Sequence, residues 1–174
     1  MTKKSELLVG LDIGTSKVAA VVGELNDGLV SIIGAGSVGA TIAYACIIRG
    51  VSKHIALYDV QKTKVDAEVL DLNHGLQFVP TAQIEGSDDI GICAGADVIV
   101  ITAGAKQKPG QSRLELARAN AQVCKNLVPR LVKIAPETIL LLVTNPVDVI
   151  TYITLKLSGL PKQRRIHVTP ARRR

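Results

Sequence analysis

Short apolar runs alternate with helically spaced apolar positions along most of the chain. Val30 to Gly34 has strand length, and Val38 to Gly50 repeats its apolar residues at helical spacing before closing on a glycine. His54 to Tyr58 is the next strand, followed by a helix from about Lys62 to His74, with Gly75 suited to cap its end. Thr81 to Glu85 is shorter and more polar, which suits a sheet edge. Asp97 to Thr102 (Asp-Val-Ile-Val-Ile-Thr) has the continuous apolar character of a strand covered on both faces. A Gly- and Pro-bearing loop leads to a helix from about Ser112 to Ala135, with a bend expected near Pro129. Thr138 to Val143 is another buried strand, and Pro146 opens a helix that runs to about Ser158.

Strands and helices in alternation, with short connections, imply a parallel sheet with right-handed crossovers and helices on both faces. The predicted class is therefore α/β, a doubly wound parallel sheet. Ligands in such sheets sit beyond the carboxyl ends of the strands, where the strand order reverses. The first thirty residues break this rhythm. Leu7 to Thr15 and Val18 to Leu25 are two strand-like runs, and Asn26-Asp27-Gly28 supplies a turn leading into Leu29. An extra N-terminal β-hairpin is expected there.

Composition narrows the picture. A chain of 174 residues holds one domain, or one domain with a short appendage. With 47% apolar and 2% aromatic residues, the core must be built from Ile, Val, Leu and Ala. No apolar run approaches the ~20 residues needed to span a bilayer, and Met1 to Glu6 lacks the apolar stretch and cleavage site of a signal peptide. The expected compartment is the cytoplasm, with no membrane partner. Cys46, Cys93 and Cys124 are isolated among apolar neighbours and lack Cys-x-x-Cys spacing, which argues for reduced core thiols. The histidines give no metal-ligand pattern either, so no metal site is expected.

The net charge of +6 resembles a nucleic-acid signal until it is located. Lys162, Arg164, Arg165, Arg172, Arg173 and Arg174 carry six positive charges, and no Asp or Glu follows Leu160. Removing those six from the 21 basic residues leaves 15, against 15 acidic ones, so the body is neutral and the basicity belongs to the tail. Such a tail adheres to any polyanion. No aromatic stacking residues or reading motif accompany it, so specific nucleic-acid binding is not expected.

Gly34-Ala35-Gly36-Ser37-Val38-Gly39 has the Gly-x-Gly-x-x-Gly spacing. Alone the pattern is weak. Here it follows a strand, opens a helix, and precedes Asp59 at the end of the next strand. Gly34 permits a tight turn, Gly36 lets the backbone approach a diphosphate, and Gly39 lets helix and sheet pack closely. The free amides at the helix start, including those of Ser37 and Val38, would then face phosphate. Asp59 would accept hydrogen bonds from both hydroxyls of the adenosine ribose. A 2′-phosphate there would meet a like charge, which favours NAD over NADP. Together these features predict a Rossmann-type NAD site.

Ile32 to Gly39, Tyr58-Asp59, Asp71-Leu72-Asn73-His74-Gly75, Ile101-Thr102-Ala103-Gly104-Ala105 and Val143-Thr144-Asn145-Pro146-Val147-Asp148 occur in the order found in bacterial L-lactate dehydrogenases. Residues 29–164 resemble the NAD-binding half of that family. The resemblance implies reversible hydride transfer between NADH and pyruvate. It also implies that Thr102, Ala103, Gly104 and Asn145 line the cofactor. Lys106 to Arg113 matches the loop that closes over the substrate. Arg113 matches the mobile arginine that polarises the pyruvate carbonyl. Gln107 matches the position that selects lactate over malate, where malate enzymes carry an arginine. Asn145 matches a residue that touches both cofactor and substrate. The family's catalytic histidine, its orienting aspartate and the arginine that pairs with the substrate carboxylate lie beyond the match, so the chain alone is expected to be inactive. His54, His74 and His167 lack the surroundings of a general acid. The family's tetramers would place the Lys62–His74 helix at an interface between copies.

Residues 1–36 carry a second resemblance. Val9 to Glu24 with Gly28 to Gly34 is similar to the start of the bacterial division actin homologue FtsA, whose first hairpin binds phosphate. The second phosphate loop and the adenosine motif of that fold have no counterpart here. Three segments result: an N-terminal hairpin appendage over 1–28, an NAD-binding domain over 29–164 and a basic tail over 165–174. Arg165 to Thr169 has the alternation to occupy a sixth strand position. Two other readings stay open on the sequence. One is an NAD-binding fragment acting only as an assembly partner, and the other is an FtsA-like ATP-binding division protein.

Overall fold

A computed structural model describes residues 7–13, 18–24, 28–105, 107, 109–161 and 165–167. The strands are β1 (Leu7–Ile13), β2 (Val18–Glu24), β3 (Leu29–Ile33), β4 (His54–Tyr58), β5 (Gln83–Ser87), β6 (Val98–Ile101), β7 (Ile139–Leu142) and β8 (Arg165–His167). The helices are α1 (Ser37–Arg49), α2 (Lys62–Gly75), α3 (Arg113–Ile134) and α4 (Val147–Ser158). β1 and β2 pair antiparallel in a two-stranded sheet of their own. The other six strands form one sheet in the order β5-β4-β3-β6-β7-β8, with every neighbouring pair parallel. Strand order reverses between β3 and β6, as a doubly wound sheet requires. β8 takes the sixth position beside β7, in the stretch where the basic tail begins.

The alternation of strand side chains separates two cores. Val30, Ile32, Ile55, Leu57, Ile84 and Val100 pack with Ala43 and Ile47 of α1 and Val65 and Leu72 of α2. Ile33, Ile99, Ile101, Leu140 and Leu142 point the other way, to Cys124, Leu127, Val128 and Leu131 of α3 and Ile150 of α4. Helices therefore cover both faces, which is why the central strands read as unbroken apolar runs. Burying one such aliphatic side chain stabilises by about 1.5–3 kcal/mol. Tyr58 is the single buried aromatic residue among the described core positions. Ile, Leu, Val and Ala fill the rest, as the composition demands.

Helix ends follow local chemistry. Gly50 closes α1 in the left-handed region at φ 60°, its N–H reaching the Cys46 and Ile47 carbonyls. Ser112 caps α3: its hydroxyl accepts from the Glu115 N–H, while the Glu115 carboxylate accepts from the Ser112 N–H. Gly75 does not cap α2 as expected. It holds a right-handed φ of −82°, and the chain continues into a 3₁₀ turn at Leu76–Phe78. The Leu76 N–H bonds the Asn73 carbonyl, so the final turn is satisfied without a left-handed residue. β5 starts two residues later than the polar run suggests, because it is aligned by pairing His54 with Gln83 and by the Gln83 N–H to Lys53 carbonyl bond. Cys46, Cys93 and Cys124 are free thiols, the last two buried. Among the described residues, no helix is long and apolar enough to cross a membrane.

Candidate functional site

The carboxyl ends of β3, β4, β6 and β7 open onto one cavity of about 1040 Å³. The glycine segment forms its floor. Gly34 has φ 106°, and a Cβ there would lie 2.8 Å from Thr102 Oγ1 and 2.9 Å from the Ala103 nitrogen. A Cβ on Gly39 would lie 1.8 Å from the Gly34 carbonyl oxygen, which no backbone shift of ordinary size relieves. Gly36 differs: a Cβ there would meet only Lys64 Nζ, at 3.7 Å. Gly34 and Gly39 are thus required by the protein's own packing. The space before Gly36 is left to something else. Gly36 is the N-cap of α1 without any side-chain cap bond, so the first-turn amides keep their capacity for an anion. A diphosphate fits this cradle on steric and electrostatic grounds.

Asp59 follows β4 directly, and its side chain is 12% exposed. Its Oδ2 accepts from the Ala35 N–H at 2.8 Å and from Lys64 Nζ at 3.3 Å, and its Oδ1 accepts from the Gln61 N–H at 3.1 Å. The carboxylate therefore fastens the glycine loop to the end of the neighbouring strand. That is a structural task in addition to the sugar contact the sequence suggests.

Three hydroxyl and amide groups lace the remaining loops together. Thr102 Oγ1 lies within hydrogen-bond distance of the Ile33 and Gly34 carbonyls, at 2.9 and 3.1 Å, joining the loop after β6 to the glycine turn. Thr144 Oγ1 lies 2.8 Å from the Ala103 carbonyl and 3.2 Å from that of Ile101. Asn120, on α3, accepts from the Ala105 N–H and donates to the Asn145 carbonyl, each at 2.6 Å. Asn145 precedes Pro146 through a cis peptide.

The structure gathers most of the sequence-predicted residues around this cavity. Gly34, Gly36, Ser37, Val38, Gly39 and Asp59 line it. So do Thr102, Ala103, Gly104, Gln107 and Asn145. Gln107 also donates through Nε2 to the Gln111 carbonyl at 2.9 Å, closing a small ring in its loop. Arg113 lies apart: it is exposed, starts α3, and is not among the lining residues. Lys106 and Lys108, in the same loop, lie outside the described residues. His54 and His74 are exposed and do not line the cavity. His167 sits on β8, and its side chain is outside the described set.

Sequence reasoning missed Lys64, Asn120, Asn126 and Arg130, all of which line the cavity. Lys64 and Arg130 read as ordinary helix-surface cations. One signal was present for Asn120: it falls in a row with Leu116, Val123 and Leu127, an otherwise apolar stripe of α3.

Comparison with known proteins matches residues 29–167 to the family model described as lactate/malate dehydrogenase, NAD binding domain. An L-lactate dehydrogenase of Bifidobacterium animalis subsp. lactis is 54% identical over 135 residues, covering 78% of this chain and 42% of that protein. The L-lactate dehydrogenase of Clostridium botulinum strain Hall is 50% identical over 139 residues, covering 80% of this chain and 43% of that protein. A crystal structure of a lactate dehydrogenase from a Medee basin deep-sea metagenome library superposes with a TM-score of 0.75 at 38% identity, over 80% of this chain and 45% of that one. The chain thus spans less than half the length of these relatives. The cofactor this domain is built for is NAD, and the chain belongs to the lactate/malate dehydrogenase family as its NAD-binding domain.

Proposed function

We propose that this chain supplies the NAD-binding half of an L-lactate dehydrogenase, whose substrates are pyruvate and lactate. The observation that carries the reading is the cavity at the strand-order reversal. It is open in front of Gly36 and is lined by Asp59, Gln107 and Asn145. When bound, NADH supplies the hydride. The protein's residues bind, orient and select. The amides at the start of α1 would hold the diphosphate, and Asp59 would receive the adenosine ribose while its charge opposes a 2′-phosphate. Thr102, Ala103, Gly104 and Asn145, which line the same cavity, would hold the rest of the cofactor. Gln107, a neutral amide, favours a substrate with one carboxylate over one with two. Arg113 would reach the substrate carbonyl by movement of the loop that begins at Lys106, and its present place outside the cavity lining accords with that.

A proton donor for the carbonyl oxygen and a cationic partner for the carboxylate are assigned to the family's other half. This chain alone is accordingly expected to bind NADH without turnover. The domain is read as 29–164, cytoplasmic, with other copies of the chain as partners along α2. Residues 1–28 are read as an appendage whose FtsA-like sequence forms no nucleotide site of its own. Support for this comes from β1 and β2, which pair with each other in a separate sheet.

The test is an NADH fluorescence titration of the purified chain, repeated with Asp59→Ala. Saturable binding that weakens at least about tenfold in the variant, a loss of about 1.4 kcal/mol, supports the reading. Equal affinity in the two proteins overturns the ribose contact. ATP displacing NADH at lower concentration than NAD does would favour the actin-like alternative. Lactate-dependent formation of NADH by the chain alone would overturn the expected inactivity.

A further inference from the structure

We propose that Asn120 is a positioning residue, a brace that fixes the root of the loop after β6 against the loop after β7. The inference rests on the NAD-domain reading for its functional meaning, but the brace is defined by geometry alone. Asn120 is 2% exposed, two turns into α3. Its carboxamide uses both ends: Oδ1 takes the Ala105 N–H, and Nδ2 gives a hydrogen to the Asn145 carbonyl oxygen, each at 2.6 Å. Those two backbone groups belong to different strand-to-helix connections, so the side chain bridges the two. The fit is close on a third side. A Cβ on Gly104 would lie 3.1 Å from Asn120 Oδ1, so the backbone before Ala105 passes directly over the amide.

Chemistry restricts what else can stand there. The site asks for one acceptor and one donor on a short fork, held in a place that water reaches poorly. Leucine would leave a backbone N–H and a carbonyl without partners. Serine is too short to reach both groups. Aspartate accepts from Ala105 but, when ionised, offers no hydrogen to Asn145 and faces its carbonyl oxygen with a like partial charge.

The consequence is geometric. Ala105 lies two residues before Gln107, and Asn145 is itself a cavity residue, so the brace sets the distance between the two residues assigned to the substrate end. Arg113 lies two helical turns before Asn120 on α3, which ties the start of the same helix to the same reference point. Catalytic constellations tolerate displacements of only about 0.5 Å. A buried fork that joins both loops to one helix supplies that tolerance through the backbone it holds.

The test uses the full chain. Amide hydrogen exchange is followed by NMR at Ala105, Thr144 and Asn145, beside an NADH titration, for the unmodified chain, Asn120→Asp and Asn120→Ala. In the unmodified chain the Ala105 amide is expected to exchange slowly. Asn120→Ala removes both bonds and should speed Ala105 exchange by about tenfold or more, since one lost buried bond is worth a factor of that order. Asn120→Asp keeps the acceptor, so Ala105 should stay slow while Thr144 and Asn145 quicken. Both variants should bind NADH about tenfold more weakly. A uniform rise in exchange across β3, β4, β6 and β7 would mark Asn120 as ordinary core and overturn the proposal. So would unchanged exchange at Ala105 in Asn120→Ala. If neither variant folds, the unmodified chain decides: rapid exchange at Ala105 overturns the brace, and slow exchange sustains it. A chain that shows slow Ala105 exchange but no NADH binding would retain the brace and refute the NAD reading.

Discussion

Asp59 Oδ2 already accepts from Ala35 and Lys64, and Oδ1 accepts from Gln61. A carboxylate has roughly four lone-pair directions, so one position is free. Receiving both ribose hydroxyls then requires one donor to leave, and Lys64 is the candidate because it is 39% exposed and its contact is the longest of the three. Lys64 also dilutes the negative charge that disfavours a 2′-phosphate. Lys64→Met should therefore sharpen the preference for NADH over NADPH by about fivefold, the equivalent of about 1 kcal/mol for a partly exposed ion pair. Measuring both affinities checks this, and an unchanged ratio would remove Lys64 from the account of selectivity. A second residue-scale expectation concerns Cys93. Burial pushes its thiol up from 9.0 to about 11, and the Asp89 charge adds to the rise. The folded core holds the neutral thiol, whereas the unfolded chain releases its proton from about pH 9. The associated stability is thus complete below pH 9 and is lost as pH climbs through about 11, up to about 3 kcal/mol. Urea unfolding at pH 8 and pH 10.5 should show this fall, and Cys93→Ala should show less of it.

Among the elements, α3 links the fold to the site. Its N-terminus is held by the Ser112–Glu115 capping box, one residue from Arg113. Ser112→Ala should cost about 1 kcal/mol of stability and fray the turn that carries Arg113, both readable by urea denaturation and amide exchange. Hydrogen bonds from Ser112 hold the Glu115 carboxyl below its usual range. Its contribution is present above the ordinary carboxylate pKa and disappears as pH falls through the lowered one. The stability gap between the native chain and Glu115→Gln should accordingly narrow as pH falls below the ordinary carboxylate range. The elements were largely legible because burial on two faces writes strands as continuous Ile-Val-Leu runs, and because the glycine segment sits between a strand and a helix. Their ends were less so. Gly75 resembles a left-handed cap, but the 3₁₀ turn that follows it is set by backbone bonding that no residue type announces. The Ser-x-x-Glu signature of the α3 start was available in the sequence, whereas apolar periodicity alone gives only an approximate boundary. Lys64 was hidden for a different reason, since a cation on a helix reads as solvated, while Asn120 was signalled only by its place in an otherwise apolar stripe of α3.

At the scale of the whole molecule, two features compete for any anionic ligand. One is the cavity, whose specificity comes from fixed amides and a carboxylate. The other is the run of basic residues from Lys162 to Arg174, which attracts polyanions without geometry. NADH carries a diphosphate, so weak binding to the tail would mimic a functional site in a simple titration. Thermodynamic linkage separates them. A ligand held by the folded cavity and not by the unfolded chain stabilises by about 2.7 kcal/mol at one hundred times its Kd. For a domain of this size that corresponds to a rise in Tm of about 5–10 °C. Binding to the tail gives little shift, because the tail's charges are present in the unfolded chain too. Salt adds a second discriminator: at about 1 M the screening length falls to about 3 Å, which suppresses the tail while the largely buried Asp59 contact and the α1 amides persist. The expected outcome is an NADH-dependent rise in Tm that survives high salt in the native chain and shrinks in Asp59→Ala. A shift abolished by salt and indifferent to Asp59 would assign the ligand to the tail and leave the glycine cradle without its diphosphate.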